Sequence, residues 1–291
     1  MMRFGRLNWI LALARKAPDV TVIIPVYNKR KYLSACLESV LNQTGVKLEV
    51  ICVDDCSSDG SWEIAAEVAR TEPLLRLVRN HANIGAAQSR NIGISLARGR
   101  YIQFTDADDL LPRGSLTALL EAAERTGSDV ARGTLQVLRG GVSTAWPTET
   151  ITEEKVRTFL DLPELWIPWF HCCFLISRAL LTRENTQYPL LVAGEDAVFM
   201  ASILTKAHRI CVTPRVTYTY RQDDERTPPT LRTVQDYIAH AKLVKQIYAG
   251  AHDRCWAAYG KFIKGDIGLL MNQAQLNPEE CQVLSSQVDE L

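Results

Sequence analysis

The sequence predicts an α/β fold, in which a mostly parallel sheet is flanked by helices and followed by a helical C-terminal extension. Short β-branched apolar runs alternate with segments of helical periodicity between residue 19 and about residue 140. The runs are apolar at successive positions, which is typical of parallel strands that helices cover on both faces. From Leu231 onward the sequence is largely helical.

Each predicted strand in the first half is followed by a predicted helix. The strands are 20–28, 48–55, 74–80, 101–106 and 128–138, and the helices are 29–43, 57–73, 84–99 and 113–127. Ser57 or Ser58 is the expected N-cap of the second helix. In the second half we expect a helix at 151–166, a loop entering a helix at 192–210 and a strand at 216–222.

Composition excludes several classes of protein. The 291 residues carry 33 basic and 33 acidic side chains, so no charge bias favours nucleic acid. No apolar run approaches the about 20 residues of a membrane-spanning helix. Five cysteines lie among apolar residues, as thiols do in a reducing compartment, and no cysteine spacing indicates zinc: Cys36, Cys52, Cys172, Cys173 and Cys211.

Residues 1–18 form a separate N-terminal segment with the pattern of a short amphipathic helix. Arg15 and Lys16 stand where a signal peptide would need small residues, which disfavours a cleaved leader. Such a segment could rest on a membrane surface or pack on the protein itself. We therefore expect a cytoplasmic protein, with peripheral contact at the inner face of the membrane left open.

Polar residues follow the first four strands at the point where each strand ends. They are Tyr27 and Asn28, then Asp54 and Asp55, then residues 80–83, then Asp106, Asp108 and Asp109. Right-handed crossovers place the carboxyl ends of parallel strands along one edge, where open α/β sheets bind ligands. The sequence therefore predicts one crevice at this edge.

Asp106 and Asp108 form a D-x-D triplet suited to a hard divalent cation. Two carboxylates one residue apart can reach the same Mg²⁺ or Mn²⁺, which is normally shared with phosphates of a ligand. Alone, the triplet is a weak signal and favours a solvated or helix-capping cluster over a metal site, because D-x-D occurs by chance in many loops. The motifs around it change that balance.

Three stretches resemble, in order and spacing, the family 2 glycosyltransferases of GT-A fold: 20–43, VICVDDCSSDGS (50–61) and 80–109. The resemblance is close from residue 19 to 120 and continues thinly to about Arg221. It implies a catalytic domain at 19–225, with a nucleotide-binding half (19–140) and an acceptor-binding half (141–225), before the extension at 226–291. It also implies a nucleotide-sugar donor and a Mn²⁺ or Mg²⁺ cofactor.

The resemblance assigns roles to matching residues. Nucleotide-sugar binding falls to Pro25, Val26, Tyr27, Asn28, Asp54, Asp55, Asn83, Gly85, Arg90, Asp106, Ala107 and Arg221. Asp55 would read the uracil edge while Asp54 supports the turn, and Arg90 would reach the base and phosphates. Asp108 would hold the metal. Asp106 would either bind the same metal or face the ribose. Arg221 is a candidate phosphate clamp.

A Glu-Asp pair in VAGEDAVFM resembles the family's acidic motif in the acceptor-binding half. It implies that Asp196 is the general base for the acceptor hydroxyl and that Glu195 orients the acceptor or a loop. Without the upstream motifs, two acids at a helix N-terminus would be read as complements of the helix dipole. His171 could touch the acceptor, although a core or rim histidine is the simpler interpretation.

Departures from the family pattern limit the prediction. Cys56 follows VDD where a small residue is usual, which is tolerable if the turn needs no positive φ. The segment 168–178 replaces a Trp-x-Lys-Leu-Tyr-like element, which puts acceptor contacts in doubt. The Q-x-x-R-W element of processive synthases is missing, and residues 222–226 do not replace it, so transfer of one sugar per visit is expected.

The resemblance thus implies a metal-dependent, inverting transferase that moves a sugar from a UDP-sugar to a glycan or lipid-linked glycan. Two other classes stay open: an inactive sugar- or partner-binding module and a nucleotidyltransferase. The nucleotidyltransferase should carry a glycine-rich basic loop after the first strand, and VYNKRKYL has no glycine. A dehydrogenase would need G-x-G-x-x-G there.

Overall fold

A computed structural model describes residues 17–147, 150–167, 170–222, 228–250 and 252–291. The N-terminal amphipathic segment lies outside the described residues apart from 17 and 18. Its predicted membrane contact, and most of the stretch 222–226, therefore also lie outside them.

The described residues form one nine-stranded sheet with the order β3-β2-β1-β4-β8-β5-β9-β7, and β6 pairs with β5. The strands are β1 (Val20–Val26), β2 (Leu48–Asp54), β3 (Leu75–Arg79), β4 (Tyr101–Phe104), β5 (Val130–Arg139), β6 (Val142–Ala145), β7 (Lys155–Arg157), β8 (Phe174–Ser177) and β9 (Ile210–Arg221).

The helices of the described residues cover the sheet and build the C-terminal extension. They are α1 (Leu33–Leu41), α2 (Ser61–Thr71), α3 (Ala86–Leu96), α4 (Ser115–Thr126), α5 (Arg178–Glu184), α6 (Glu195–Leu204), α7 (Leu231–Tyr248), α8 (Asp253–Gln273) and α9 (Pro278–Asp289). Within the described part of the chain, no helix is both long and apolar enough to cross a membrane.

The predicted fold class is confirmed. Strands β3, β2, β1 and β4 are mutually parallel, and β1 and β2 are buried along their whole length. Beyond β4 the sheet is mixed, because β8 runs antiparallel to both β4 and β5, whereas β5 and β9 are parallel. The polar strand ends of the first half therefore share one edge, as expected.

Two local predictions are wrong. Residues 151–166 hold the edge strand β7 and two 3₁₀ turns, because 155–157 pair with β9 while Phe159, Leu162 and Leu165 turn into the core. Helix α2 begins at Ser61 after Gly60, whose φ is +96°. The Oγ of Ser57 accepts a hydrogen bond from the Asn28 N–H instead of capping this helix.

The C-terminal extension packs on the second half. Helix α7 buries Val234, Ile238, Ala241 and Val244, spaced at three and four residues, on the side where it contacts α6 and α8. Its N-terminus is closed by a capping box between Thr230 and Thr233. The extension therefore fixes the position of α6, which begins with the Glu-Asp pair.

All five predicted core cysteines are buried and free.

Candidate active site

The loops after β1 and β2 are tied to each other at the sheet edge. Asn28 adopts a left-handed φ of +51°; its N–H donates to Ser57 Oγ (3.1 Å), and its Oδ1 accepts from the Ser58 N–H (2.9 Å). Pro25 and Val26 lie in β1, and Tyr27 is 46% exposed beside them. An exposed ring on a fixed loop can stack on a planar base.

Asp54 and Asp55 are both buried and shape the loops around them. Asp54 Oδ2 accepts from the Ser57 N–H (3.2 Å) and faces the Arg79 guanidinium (3.3 Å), in keeping with its predicted support of the turn. Asp55 Oδ1 accepts from the Asn80 amide and the Ile84 N–H, and its Oδ2 accepts from the Gly85 N–H (2.8 Å). Asp55 thus holds the loop that leads into α3, and its reading of uracil stays a prediction.

The same loop contains Asn83 and Gly85, which the sequence assigned to donor binding. Asn83 Oδ1 accepts from the Gly85 N–H (3.2 Å), and Gly85 has a φ of +90° with no neighbouring atom of the described residues within 4 Å of the position of a Cβ. The open space over Gly85 lets a ligand approach the backbone closely.

Cys56 departs from the expectation for its turn. Its φ is +62°, so the turn does require the left-handed region. For a residue with a side chain this conformation costs about 1–2 kcal/mol. The hydrogen bonds that Asp54 and Asn28 make to the following serines hold the strained turn in place.

Asp109 is the third acid of residues 106–109, called here the D-x-D-D loop, and it connects this loop to β9. Its Oδ2 accepts from the Tyr218 hydroxyl (2.7 Å) and its Oδ1 accepts from the Arg221 N–H (2.8 Å). The Tyr218 oxygen in turn accepts from the Asp106 N–H (3.1 Å). Burial, followed by the nearby Asp106 charge, raises the pKa of Asp109 to about 8. Asp109 therefore serves the architecture of the loop.

Asp108 projects from the loop into the crevice, and its side chain is 31% exposed. The ammonium of Lys29, from the loop after β1, forms an ion pair with its Oδ2. A cationic group thus already stands against Asp108, and the side chain of Asp106 is 35% exposed nearby. Two accessible carboxylates fit a hard divalent cation, which usually completes its shell with water and ligand phosphates. The described residues contain no cluster of three or more His, Cys, Asp or Glu side chains that could bind a metal ion.

Arg90 joins the two acidic motifs. Its Nη2 donates to Asp106 Oδ1 and its Nη1 donates to Glu195 Oε1, both at 2.8 Å, and the guanidinium lies 5.3 Å from the centre of the Tyr188 ring. Burial would raise the pKa of Asp106, but the charge of Arg90, its hydrogen bond to Asp106 and other nearby charges together outweigh burial and lower that pKa. The structure therefore brings together residues 105 positions apart in sequence.

Asp196 lies at the first turn of α6, with its side chain 32% exposed. Its Oδ1 accepts from the Ala197 N–H (2.9 Å), whereas its Oδ2 lies 3.9 Å from Nδ1 of His171. Burial, followed by repulsion from Glu195, raises the pKa of Asp196 to about 7. A carboxylate with a pKa near neutrality is suited to general base catalysis.

His171 is a core histidine, as the simpler interpretation predicted. It is 3% exposed, and its ring meets Phe104 edge-on at 5.6 Å. Neither ring nitrogen hydrogen-bonds to a described residue. Burial, followed by the Arg90 charge, lowers its pKa to about 3, so the ring beside Asp196 is neutral.

Arg221 lies across the D-x-D-D loop. Its Nε donates to the Asp108 carbonyl (2.9 Å), and its guanidinium lies 5.0 Å from the centre of the Tyr32 ring. Ala107, between Asp106 and Asp108 in this loop, is buried. The predicted clamp residue therefore reaches the loop that carries the predicted metal ligands.

A cavity of about 530 Å³ opens beside Asp196, between the acceptor-binding half and helices α7 and α8. Most of its wall comes from residues that the sequence did not single out, including Tyr237, His240, Tyr259 and Phe262.

Sequence reasoning also missed Lys29, Tyr188 and Tyr218. The KRK run of residues 29–31, next to a predicted crevice, was a signal for a cation opposite the acids. Tyr188 and Tyr218 are placed by long-range packing, for which the sequence carries no local signal.

The family model for glycosyl transferase family 2 matches residues 21–182. This match covers more than half of the chain, and the chain therefore belongs to glycosyl transferase family 2.

Curated relatives agree with this membership. The chain is 30% identical over 225 residues to the succinoglycan biosynthesis protein ExoO of Rhizobium meliloti, covering 70% of this chain and 61% of ExoO. It is 31% identical over 207 residues to the poly(ribitol-phosphate) beta-glucosyltransferase of Bacillus spizizenii, covering 69% of this chain and 32% of that enzyme. The first of these matches thus spans about three-fifths of the relative, and the second about a third.

Solved structures share the fold, which is the GT-A fold predicted by the resemblance. S. aureus TarS 1–349 in complex with UDP-GlcNAc has a TM-score of 0.70 and 22% identity, covering 84% of this chain and 72% of that one. The mannosyltransferase PcManGT of Pyrobaculum calidifontis, in complex with GDP-Man and Mn²⁺, has a TM-score of 0.57 and 19% identity, covering 95% of this chain and 81% of that one.

Proposed function

We propose that the protein is a metal-dependent, inverting glycosyltransferase that moves one sugar from a UDP-sugar to a hydroxyl of a glycan or lipid-linked glycan. The observation that carries the proposal is the double ion pair of Arg90 with Asp106 and Glu195. It joins the predicted donor and acceptor motifs in one crevice at the carboxyl ends of the strands, where α/β sheets bind ligands.

A nucleotide-sugar donor is supported by the fold and by the loops at the sheet edge. TarS has been crystallised with UDP and UDP-GlcNAc, and PcManGT with GDP-Man. In this chain, Tyr27 would stack on the base, and the loop that Asp55 holds would line the nucleoside. Arg221 and Lys29 lie beside Asp108, where cationic side chains can bind a diphosphate.

Asp108 and Asp106 would hold Mn²⁺ or Mg²⁺ against that diphosphate. The bound ion would neutralise the charge that develops on the departing nucleoside diphosphate. The chain itself prepares the site: Tyr218 and Asp109 fix the loop, and Arg90 keeps Asp106 ionised.

Asp196 would act as the general base. The acceptor hydroxyl oxygen forms a bond to the anomeric carbon while the bond from that carbon to the diphosphate oxygen breaks. The hydroxyl proton passes to the Asp196 carboxylate, and UDP leaves. One such displacement inverts the anomeric configuration. A protonated histidine beside Asp196 would lower the pKa of this carboxylate. His171 is neutral, so Asp196 stays basic.

The relatives support surface-polysaccharide biosynthesis as the biological context. One is named for succinoglycan biosynthesis and another as a poly(ribitol-phosphate) beta-glucosyltransferase. We accordingly place the reaction in the cytoplasm, at the inner face of the membrane if residues 1–18 contact it.

A panel of UDP-sugars, assayed for hydrolysis and for transfer to glycan acceptors with Mn²⁺, tests the proposal. Turnover of at least one donor is expected, and Asp196→Asn should keep donor binding but lose transfer. Retained transfer by this variant would remove Asp196 from the mechanism. Binding of donors without any turnover would favour the inactive binding module.

A further inference from the structure

We propose that the cavity beside Asp196 is a saccharide subsite, in which an uncharged pyranose ring of the acceptor stacks between two aromatic walls. The inference rests on the proposed function and names the acceptor chemistry of that same site. Its volume of about 530 Å³ lies within the range of about 300–1,000 Å³ typical of small-molecule sites.

The first wall of the cavity is a cluster of three aromatic rings from separate parts of the chain. The centre of the Trp146 ring lies 4.9 Å from that of Phe170 and 6.3 Å from that of Tyr220, and Phe170 and Tyr220 are 5.8 Å apart. Phe170 has a φ of +43°, which is strained for a bulky side chain. Strained residues of this kind concentrate at ligand sites, where the surrounding structure enforces them.

The second wall comes from the C-terminal extension. Tyr237 and His240 of α7 and Tyr259 and Phe262 of α8 line the cavity. His240 Nε2 and the Tyr259 hydroxyl are hydrogen-bonded at 2.7 Å, which fixes both rings. His240 Nδ1 is buried and has no hydrogen-bond partner among the described residues. The wall therefore offers rigid aromatic faces.

Polar side chains alternate with these rings. Asp266 and Gln273 of α8 line the cavity, and Asp196 borders it on the other side. A pyranose has apolar C–H faces that pack on aromatic rings and hydroxyl edges that hydrogen-bond to carboxylates and amides. This mixture of apolar and polar surface matches both features of a sugar.

The same lining argues against a lipid carrier in this cavity. A prenyl chain would cover the carboxylates of Asp196 and Asp266 without replacing the hydrogen bonds to water that they would lose, which is costly. Its phosphate would face two carboxylates, and no lysine or arginine is among the described residues that line the cavity. A neutral saccharide meets neither penalty.

The cavity is also connected to the predicted base. Gly194, directly before Glu195, lines the cavity beside His240, and a Cβ at Gly194 would lie 2.0 Å from His240 Nδ1. The wall built by α7 therefore rests on the loop that positions Asp196, so a sugar bound there lies next to the base.

Saturation-transfer NMR on the full chain tests the subsite. The probes are methyl glycosides of glucose, galactose, mannose and N-acetylglucosamine, with farnesyl phosphate as the lipid probe. At least one glycoside should bind, and Phe262→Ala should bind it about tenfold more weakly because one stacking ring is gone. Trp256→Ala is the matched control, since this partly buried aromatic lies on the same helix and does not line the cavity.

Asp266→Asn, which preserves shape, provides a second test should Phe262→Ala fold poorly, and it should also weaken glycoside binding. The inference is overturned if no glycoside binds, if both cavity variants bind like the wild type, or if only farnesyl phosphate binds. Calorimetry with UDP and Mn²⁺ on the same preparations distinguishes a failure of the saccharide subsite from a failure of the proposed function. Glycoside binding without any UDP binding would contradict the proposed function and leave the saccharide subsite standing.

Discussion

Replacing Arg90 by methionine should strongly destabilise the protein, because this side chain joins the two acidic motifs from a buried position. The Arg90 side chain is 6% exposed, and it donates one 2.8 Å hydrogen bond to Asp106 and another to Glu195. Methionine fills much of the same space without charge. The variant therefore removes the two ion pairs, together with the contact of the guanidinium with the Tyr188 ring.

The expected magnitude follows from what the variant leaves behind. The side chain of Glu195 is only 14% exposed, so its charge loses its partner in a place that water reaches poorly. Removing one member of a buried ion pair typically costs about 3–5 kcal/mol. Asp106 is more exposed, at 35%, and adds less. We expect a loss of about 3–5 kcal/mol in the free energy of unfolding.

Urea denaturation followed by circular dichroism measures this loss. Arg125→Met is the matched control, because Arg125 also pairs with a carboxylate at 2.8 Å but is exposed. It should change stability far less than Arg90→Met. Arg90→Lys should fall between the wild type and Arg90→Met, since one ammonium cannot serve both acids with the geometry of the guanidinium. A loss below about 1 kcal/mol for Arg90→Met would refute the reasoning.

Three further predictions concern the crevice. The rate of sugar transfer should rise with pH to a plateau above about 7, because the raised pKa of Asp196 leaves the base protonated below that pH and ionised above it. Lys29→Met should tighten Mn²⁺ binding several-fold by calorimetry, since the ammonium no longer competes for Asp108. Gly194→Ala should destabilise the fold by more than about 2 kcal/mol, because its Cβ would overlap His240 in addition to straining the backbone.

Each of these three predictions has a control variant or a result that would contradict it. A rate that is flat from pH 5.5 to 8 would exclude a base with the pKa of Asp196. Lys31→Met, on the same loop, should leave Mn²⁺ affinity unchanged, and an equal gain in both variants would indicate a general charge effect. Gly114 has a similar φ of +77°, and no atom of the described residues lies within 4 Å of the position of its Cβ, so Gly114→Ala should cost only the backbone strain. Equal losses at the two glycines would contradict the His240 overlap.

Sequence periodicity was sufficient to predict the first half of the fold. Predominantly apolar runs such as 20–26 and 48–54 predict buried parallel strands, and the order of strands and helices then places their carboxyl ends on one edge. The position of Asp106 and Asp108 beside the crevice follows from this. The role of Asp109 in holding the loop to β9 was not evident from the local sequence, because its hydrogen-bond partners lie more than 100 residues away.

Periodicity failed where short elements depend on distant partners. In 151–166 the apolar residues Phe159, Leu162 and Leu165 have helical spacing, but the backbone of 155–157 gains hydrogen bonds by pairing with β9. The positive φ of Cys56 likewise reflects the hydrogen bonds of neighbouring loops. Local sequence does not report such long-range gains.

The sequence identified the acidic residues of the candidate site. It did not predict the long-range hydrogen bonds and contacts that hold them in place. Tyr218 and His240 act through partners that are 109 and 19 residues away, respectively. The C-terminal extension was predicted only as helical, because nothing in its sequence indicates which face meets Gly194. Arg90 was assigned to the base and phosphates; in the structure it is bonded to two acids, and its contact with a ligand stays a prediction.

The most direct test of the central claim, that the D-x-D loop holds a metal-bound nucleotide, is calorimetry with UDP in the presence and absence of Mn²⁺. We predict that the wild type binds UDP in a Mn²⁺-dependent manner and that Asp108→Ala loses this dependence while keeping its circular dichroism spectrum. UDP binding that is the same with and without Mn²⁺, or unchanged in Asp108→Ala, would contradict the claim.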